Sequence, residues 1–419
     1  MNNVLMIAFH YPPVGGSSGV LRTLKFSKYL QEFHWKPHIL TVRERVHEAR
    51  DDSLLHEIPS NISVLRTPAL DTKKHLAIKG RYLELCAIPD TYIGWLPFAI
   101  LKGLQAIRRG NIQALYSTSP IATAHLIALC LKRLTRLPWV ADFRDPWVEV
   151  SLNPTGEGWR FRLESWLEER VLTQADRVTV TTNFLKEELI QRYPHISTGK
   201  FQVVMNGFDE EDFLRPVTVA QEKPSNQFEL IHAGLLNESY RSPVSLLQAL
   251  SVLVQTHKIP RTAVRFRLLG GGAYLQSLDF KRTLQSLNIE DVVHIGGLVP
   301  YDECLRQLAQ SHLLVLIQGG ADTKTLIPAK AFEYLRIEKP ILAITPEGSA
   351  TAELINEFNA GCVVDADNKE KLQAALLELY TRFVNGGLRT SIDQKQLKKY
   401  TRRELTKQLA GVFDHLRID

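Results

Sequence analysis

Long apolar runs are missing from this 419-residue chain. A bilayer-spanning helix needs about 20 consecutive apolar residues, and beyond the short start Val4–Phe9 the longest stretch is Ala122–Leu131. Val4–Phe9 also lacks a basic lead-in and a small-residue cleavage site, so it reads as a first buried strand and not as a secretory signal. Cysteine is scarce as well. Cys86, Cys130, Cys304 and Cys362 show no C-x-x-C spacing, which argues against a thiolate metal site and fits small core residues in a reduced, cytoplasmic setting. No low-complexity tract and no repeat of solenoid period interrupts the chain. After the first strand there is neither G-x-G-x-x-G with its downstream acidic partner nor G-x-x-x-x-G-K-[ST], so a dinucleotide oxidoreductase is disfavoured. Lysine and arginine number 51 against 45 acidic residues, a net charge of +6. The excess points to an anionic partner such as nucleotide phosphate or a lipid surface. Basic residues are not interleaved with aromatics in a stripe, so no nucleic-acid partner is expected.

What is present is the composition of an ordinary globular protein, 44% hydrophobic and 23% charged, at a length that suits two domains. Short Val/Ile/Leu-rich runs alternate with helical periodicity, the pattern of a parallel sheet covered by helices on both faces. The first series of strands is expected at Val4–Phe9, His38–Val42, Ile62–Arg66, Ala114–Ser117, Trp139–Asp142, Arg177–Thr181 and Phe201–Val204. The second is expected at Phe228–His232, Arg265–Leu269, Val292–Ile295, Leu313–Ile317, Pro340–Ile344 and Cys362–Val364. The fold class is therefore α/β, with two tandem Rossmann-like, doubly wound domains: 1–215, a polar proline-bearing linker 216–227, 228–393, and a terminal helical segment 394–419. Ligands of such folds lie beyond the carboxyl ends of the strands, here in an inter-domain cleft.

Four segments at strand ends carry the chemistry. Tyr11-Pro12-Pro13-Val14-Gly15-Gly16-Ser17-Ser18-Gly19 precedes a helix with Arg22 and Lys25; its glycines either let backbone N–H groups approach a phosphate or simply make a tight turn. In Ala141-Asp142-Phe143-Arg144-Asp145-Pro146-Trp147 the charges Asp142, Arg144 and Asp145 either satisfy one another or face a polar ligand. His232-Ala233-Gly234-Leu235-Leu236 with Arg241 offers close backbone access and a phosphate-binding guanidinium, against the alternative of a plain surface arginine. Finally, Gln318 through Leu335 joins a polar glycine-bearing loop to a helix with Pro328 in its first turn. Lys330 and Glu333 share one helical face there; they either pair with each other or serve a ligand, Glu333 as acceptor for a ribose diol.

In this order the segments resemble the family 4 glycosyltransferases, and the likeness spans nearly the whole chain. It is strongest in Tyr11–Gly19 with Arg22, Ala141–Trp147, Thr181–Asn183, Asn206-Gly207-Phe208-Asp209, His232–Arg241, and Pro328–Leu335 with Lys339-Pro340-Ile341-Leu342-Ala343. The resemblance implies the GT-B fold, retention of anomeric configuration and no cofactor, the nucleotide-sugar being a substrate. It implies donor binding by Gly15, Gly16, Gly234, Arg241, Thr325, Lys330 and Glu333. Arg241 stands where the family expects a lysine, and Leu235 where an arginine is usual. The family's E-x7-E pair falls on Thr325 and Glu333, so only the second carboxylate is present; Asp322 or a backbone N–H would then serve the transferred sugar. Asp142, Arg144, Asp145 and Arg241 are the expected catalytic group, the first three on the acceptor side.

The expected reaction moves a sugar from a UDP- or GDP-sugar to a glycan or lipid-linked acceptor, in cell-surface polysaccharide synthesis. Arg241, Lys330 and nearby N–H groups would stabilise the departing diphosphate without a metal. Asp365-Ala366-Asp367 imitates a metal motif but follows a late strand and reads as a helix-capping turn. Rival readings are a nucleotide-sugar epimerase or hydrolase of the same fold and a non-catalytic nucleotide-sugar-binding module. Lys73-Lys74-His75, Lys79-Gly80-Arg81, Trp95–Lys102 and Arg108-Arg109 mix basic and apolar groups, matching either an ordinary packing helix or peripheral contact at the inner face of a membrane.

Overall fold

The computed structural model describes residues 1–15, 18–47, 49–77, 82–148, 158–214, 226–239, 241–320 and 323–416. The chain divides into two compact units, Met1–Gly207 with Tyr400–Asp419, and Phe208–Lys399. The expected linker lies for the most part outside the described residues.

The first unit is built on strands β1 (Asn2–Ala8), β2 (Trp35–Val42), β3 (Ser63–Thr67), β4 (Ala114–Thr118), β5 (Trp139–Phe143), β6 (Arg177–Val180) and β7 (Phe201–Val203). They form one parallel sheet in the order β3-β2-β1-β4-β5-β6-β7. Strands β4 and β5 are buried at every residue. An unbroken buried run needs cover on both faces, and helices provide it. One face packs Leu5, Ile7, Leu115 and Ala141 against the helices Leu96–Gly110 and Thr123–Thr135. The other packs Val4, Met6, Tyr116 and Val140 against the helices Ser18–Tyr29 and Arg402–His415. The terminal segment is thus not one helix from Gln394. It breaks after Leu397, passes a 3-10 turn at Lys398–Tyr400, and restarts where Thr401 caps the helix from Arg402 by accepting the Glu404 N–H.

The second unit repeats the plan with β8 (Phe228–Leu235), β9 (Val264–Gly271), β10 (Val293–Ile295), β11 (Leu313–Ile317), β12 (Ile341–Ile344) and β13 (Gly361–Val364). Its parallel order is β10-β9-β8-β11-β12-β13. Both sheets have the doubly wound Rossmann-like arrangement, and all thirteen strands fall where the apolar runs placed them. The largest departures are β2, which begins at Trp35, and β8 with β9, which continue into the glycine-bearing loops. The pairs Gly234↔Gly270 and Leu235↔Gly271 extend the ladder past the apolar residues that signalled it.

Candidate functional site

In each sheet the chain reverses its direction of travel once, between β1 and β4 in the first unit and between β8 and β11 in the second. Loops leaving neighbouring strands part at such a point, and the crevice they leave is where ligands of this architecture bind.

At the second unit's reversal point, Lys330 leaves the first turn of the helix Ala329–Ile337, behind β11, and reaches the end of β8. Its Nζ donates to the Ala233 carbonyl at 2.6 Å and lies 3.4 Å from His232 Nε2. His232 is fully buried with Nδ1 2.9 Å from the Val315 carbonyl. Burial, then the Lys330 charge, holds its pKa well below the ordinary imidazole value. A neutral ring therefore donates to Val315 and presents Nε2 as acceptor to Lys330. Burial, and next the positive charge of Arg241, pull the Lys330 ammonium down to about 7, with Glu333 acting in the opposite sense. Arg241, Lys330 and Glu333 are therefore close enough to share one electrostatic environment. Gly234 is dictated by this amine: its φ is 123°, and a Cβ there would sit 2.5 Å from Lys330 Nζ.

The surrounding frame is hydrogen-bonded. Glu333 Oε1 accepts from the Tyr301 hydroxyl at 2.8 Å, and the buried Tyr334 hydroxyl accepts the Ala233 N–H at 3.2 Å. Asn237 Oδ1 accepts the Ser239 and Arg241 N–H groups at 3.1 and 3.0 Å, fixing the loop that carries Arg241. Gln318 Nε2 donates to the carbonyls of Thr323 and Leu326, while Gln318 Oε1 accepts from Thr351. These bonds pin the loop holding the half-buried Thr325. Asp322 lies outside the described residues. Pro328 is the N-cap and not a first-turn residue, and no described side chain caps that helix start. The Ala331 N–H is given to the Pro328 carbonyl at 2.9 Å, so an anion or water at this helix start would meet the N–H groups of Ala329 and Lys330. Asp365-Ala366-Asp367 forms the turn before the helix Lys369–Val384, Asp365 Oδ1 accepting the Asp367 N–H and Asn368 capping the helix.

The first unit's reversal point is organised differently. Arg22, buried on the helix after β1, donates Nε to Asp142 Oδ2 at 3.1 Å and Nη2 to Oδ1 at 2.8 Å. Asp142 also accepts from Tyr116 (2.7 Å), Thr118 (2.8 Å) and Thr179 (2.6 Å). Burial opposes the charge, but Arg22 and the hydroxyls outweigh it and hold the carboxyl at about 2. Two oxygens with five donors have nothing left for an acceptor hydroxyl, so Asp142 is a tie between helix and sheet. Its partner is Arg22, and not Arg144 or Asp145 as the local sequence suggested. Arg144 donates Nη1 to the Gly19 carbonyl at 2.8 Å, and a Cβ on Gly19 would lie 2.5 Å from that same guanidinium. Asp145 is half-buried and its charge acts on Arg144. The Gly15 N–H is already given to the Ala49 carbonyl at 3.0 Å, which corrects the expectation that it meets donor phosphate; Gly16 lies outside the described residues.

Two family models match this chain in tandem, the glycosyl transferase 4-like domain over residues 22–207 and the glycosyl transferases group 1 domain over residues 227–382. The chain belongs to the family 4 type glycosyltransferases. Solved structures share the fold of this glycosyltransferase at low identity. Sucrose-phosphate synthase from Thermosynechococcus elongatus is 13% identical, with all of both chains covered and a TM-score of 0.65. HepE from Anabaena, in complex with UDP-glucose, is 15% identical, with 99% of each chain covered and a TM-score of 0.66. The UDP-GlcNAc 2-epimerase of Neisseria meningitidis, bound to UDP-GlcNAc, is 13% identical over 98% of this chain and 99% of its own, with a TM-score of 0.55. No curated protein matches the sequence.

Sequence reasoning brought Arg241, Lys330, Glu333 and Gly234 to one place in this glycosyltransferase and missed the groups that orient them. Tyr301 opens a helix after β10 with no local signal of its role. His232 stood inside a recognised segment, and a histidine in an otherwise apolar buried strand is the clue that could have found it.

Proposed function

We propose that this glycosyltransferase takes a sugar from a uridine diphosphate donor held by the second unit and transfers it, with retention, to a glycan or lipid-linked acceptor used in surface polysaccharide. The observation that carries the reading is the Lys330 amine. It is anchored on the Ala233 carbonyl, backed by the neutral His232 and accompanied by Arg241, beside an uncapped helix start. A half-buried amine bonded to a carbonyl and a neutral imidazole, and to no carboxylate, is poised for an anionic ligand. Glu333, steadied by Tyr301, supplies the acceptor pair for the ribose diol.

When the bond between the anomeric carbon and the β-phosphate oxygen breaks, charge grows on that oxygen. Lys330 and Arg241 stabilise it there without a metal ion. UDP is favoured over GDP because HepE is seen with UDP-glucose and the epimerase with UDP-GlcNAc. The epimerase and binding-module readings give way to the transferase because both matching family models are transferase domains. Screening nucleotide sugars for thermal stabilisation tests the donor directly. Stabilisation by UDP-sugars that is lost in Glu333→Ala and Arg241→Ala is expected; equal response of wild type and both variants removes the donor assignment.

No helix among the described residues is long and apolar enough to cross a membrane. Peripheral contact is supported by Leu83 and Leu85, 76% and 63% exposed, beside the exposed Lys73 and Lys74, the two stretches being joined by the Thr72 hydroxyl on the Cys86 carbonyl. By contrast the helix Leu96–Gly110 buries Ala99 and Gly103 as an ordinary packing helix does. Co-sedimentation with anionic vesicles that falls in Leu83→Ser/Leu85→Ser is the expected outcome.

A further inference from the structure

Of the six tryptophans, Trp35, Trp95 and Trp139 are fully buried, whereas Trp159 and Trp166 stand 52% and 49% exposed on the helix Trp159–Gln174 of the first unit. Being seven positions apart, those two lie within about 20° of one another and about two turns apart along the axis. Arg162, Arg170 and Thr173 fall within about 60° of Trp159 and are exposed as well. The Arg170 guanidinium sits 5.4 Å from the centre of the Trp166 ring, a cation–π contact. Two large aromatic side chains in one stripe make a patch, unlike the single apolar residues scattered over any surface.

The stripe cannot roll inward, because the opposite side of the helix is tied down. Glu168, fully buried, accepts the Val148 N–H at 3.2 Å, Arg192 Nη1 at 2.9 Å and the Tyr193 hydroxyl at 2.8 Å, while Val171 and Leu172 pack in the core. The helix's other carboxylates lie off the stripe and are engaged, Glu164 with Arg160 and Glu169 with His195, each at 3.0 Å. The outward stripe from Trp159 to Thr173 therefore carries arginine and no carboxylate. Tryptophan settles at the headgroup level of a membrane, and basic side chains beside it are drawn to anionic lipid. A convex stripe with charge of one sign complements a flat anionic surface.

We infer that the outward face of the helix Trp159–Gln174 docks on an anionic lipid surface, with the two tryptophan rings at headgroup level and Arg162 and Arg170 on lipid phosphates. This deepens the peripheral contact read above and rests on it in taking the partner to be a lipid surface. The element is separate from Leu83 and Leu85, so the two can fail separately.

The full chain is mixed with vesicles of phosphatidylcholine, alone or with roughly a third phosphatidylglycerol, whose brominated acyl chains quench tryptophan. Trp147 is half-buried and the other three are buried, so a change in emission reports on Trp159 and Trp166. Quenching by the anionic vesicles and not by the neutral ones is expected, weakening as salt rises. Arg162→Gln/Arg170→Gln should lower vesicle affinity about fivefold per arginine, the worth of a basic residue near an anionic surface. Trp159→Ser/Trp166→Ser should lower it about tenfold, with the melting temperature close to that of the wild type. At saturating lipid, Leu83→Ser/Leu85→Ser should keep the quenching; its loss there would overturn the helix's role and leave the contact to the leucines. Absent quenching in the wild type, equal quenching by neutral vesicles, or unchanged affinity in the tryptophan variant would each overturn the proposal. So would a melting temperature lowered by several degrees in that variant, which would mark the tryptophans as packing residues. A wild type that sediments as a dimer, with Trp159→Ser/Trp166→Ser a monomer, would overturn it too by assigning the face to a second copy of the chain.

Discussion

At the reversal point of the first sheet a buried carboxylate, Asp142, collects a bidentate arginine and three hydroxyls; at that of the second, a half-buried amine, Lys330, has a carbonyl and a neutral imidazole. The topology is shared, and the use of charge is opposite. The first arrangement is complete in itself and fixes a helix to a sheet. The second leaves a positive charge whose natural complement is a ligand, and the cost of holding it open shows in an ammonium pulled down to about 7. Charged residues at strand ends are therefore not equivalent evidence of chemistry: the number of donors already on each oxygen, or acceptors on each amine, separates scaffold from site.

The largest expected effect breaks the comparison on its scaffold side. Asp142→Asn strands Arg22 in the core and should destabilise the protein by about 3–5 kcal/mol in a denaturant melt. Arg22→Met combined with Asp142→Leu should recover much of that loss. The acid limb has a definite sign. The folded pKa, about 2, lies below the ordinary 3.8, so the carboxyl's contribution is present above 3.8 and lost as pH falls through 2. A neutral Asp142→Asn would mean that the two sites are not different in kind.

On the ligand side, Lys330→Ala should weaken UDP binding roughly 10- to 100-fold, the range for a charge-assisted hydrogen bond. The unliganded melting temperature should hold or rise, because a partly desolvated charge is removed. Parallel losses of stability and affinity in calorimetry would instead mark Lys330 as structural. Next in size is a pH effect. The folded pKa of about 7 lies below the ordinary 10.5, so the unfolded chain binds more protons between those values. The charge's cost to stability is thus full below 7 and is relieved as pH rises toward 10.5. A bound diphosphate favours the protonated amine, so UDP affinity should decline above pH 7, with proton uptake seen by calorimetry in two buffers, and Lys330→Arg should flatten the decline. Smallest is Tyr301→Phe, which removes one hydrogen bond to Glu333 and should raise the donor KM several-fold, about 1 kcal/mol, with kcat little changed.

Much of the architecture was legible because the central strands are buried on both faces and read as apolar runs. Their ends were less so: β8 and β9 continue through Gly234, Gly270 and Gly271, where backbone pairing persists without an apolar signal. The neighbourhood of the residues proposed to hold the donor was legible because three of them fall on one strand end and one helix face. The Arg22–Asp142 tie was not, since its partners lie 120 positions apart and only the folded sheet brings them together. Gly15 misled for a similar reason: a glycine-rich turn advertises free N–H groups, and the bond to Ala49 that uses this one comes from a distant loop.

Amide hydrogen exchange with and without UDP tests most directly whether the second unit holds the donor. Slowed exchange at residues 232–239 and through the start of the helix Ala329–Ile337 is the expected result, and it should be much reduced in Lys330→Ala at the same UDP concentration. Protection confined to residues 1–207, or identical protection in the variant, would contradict the account.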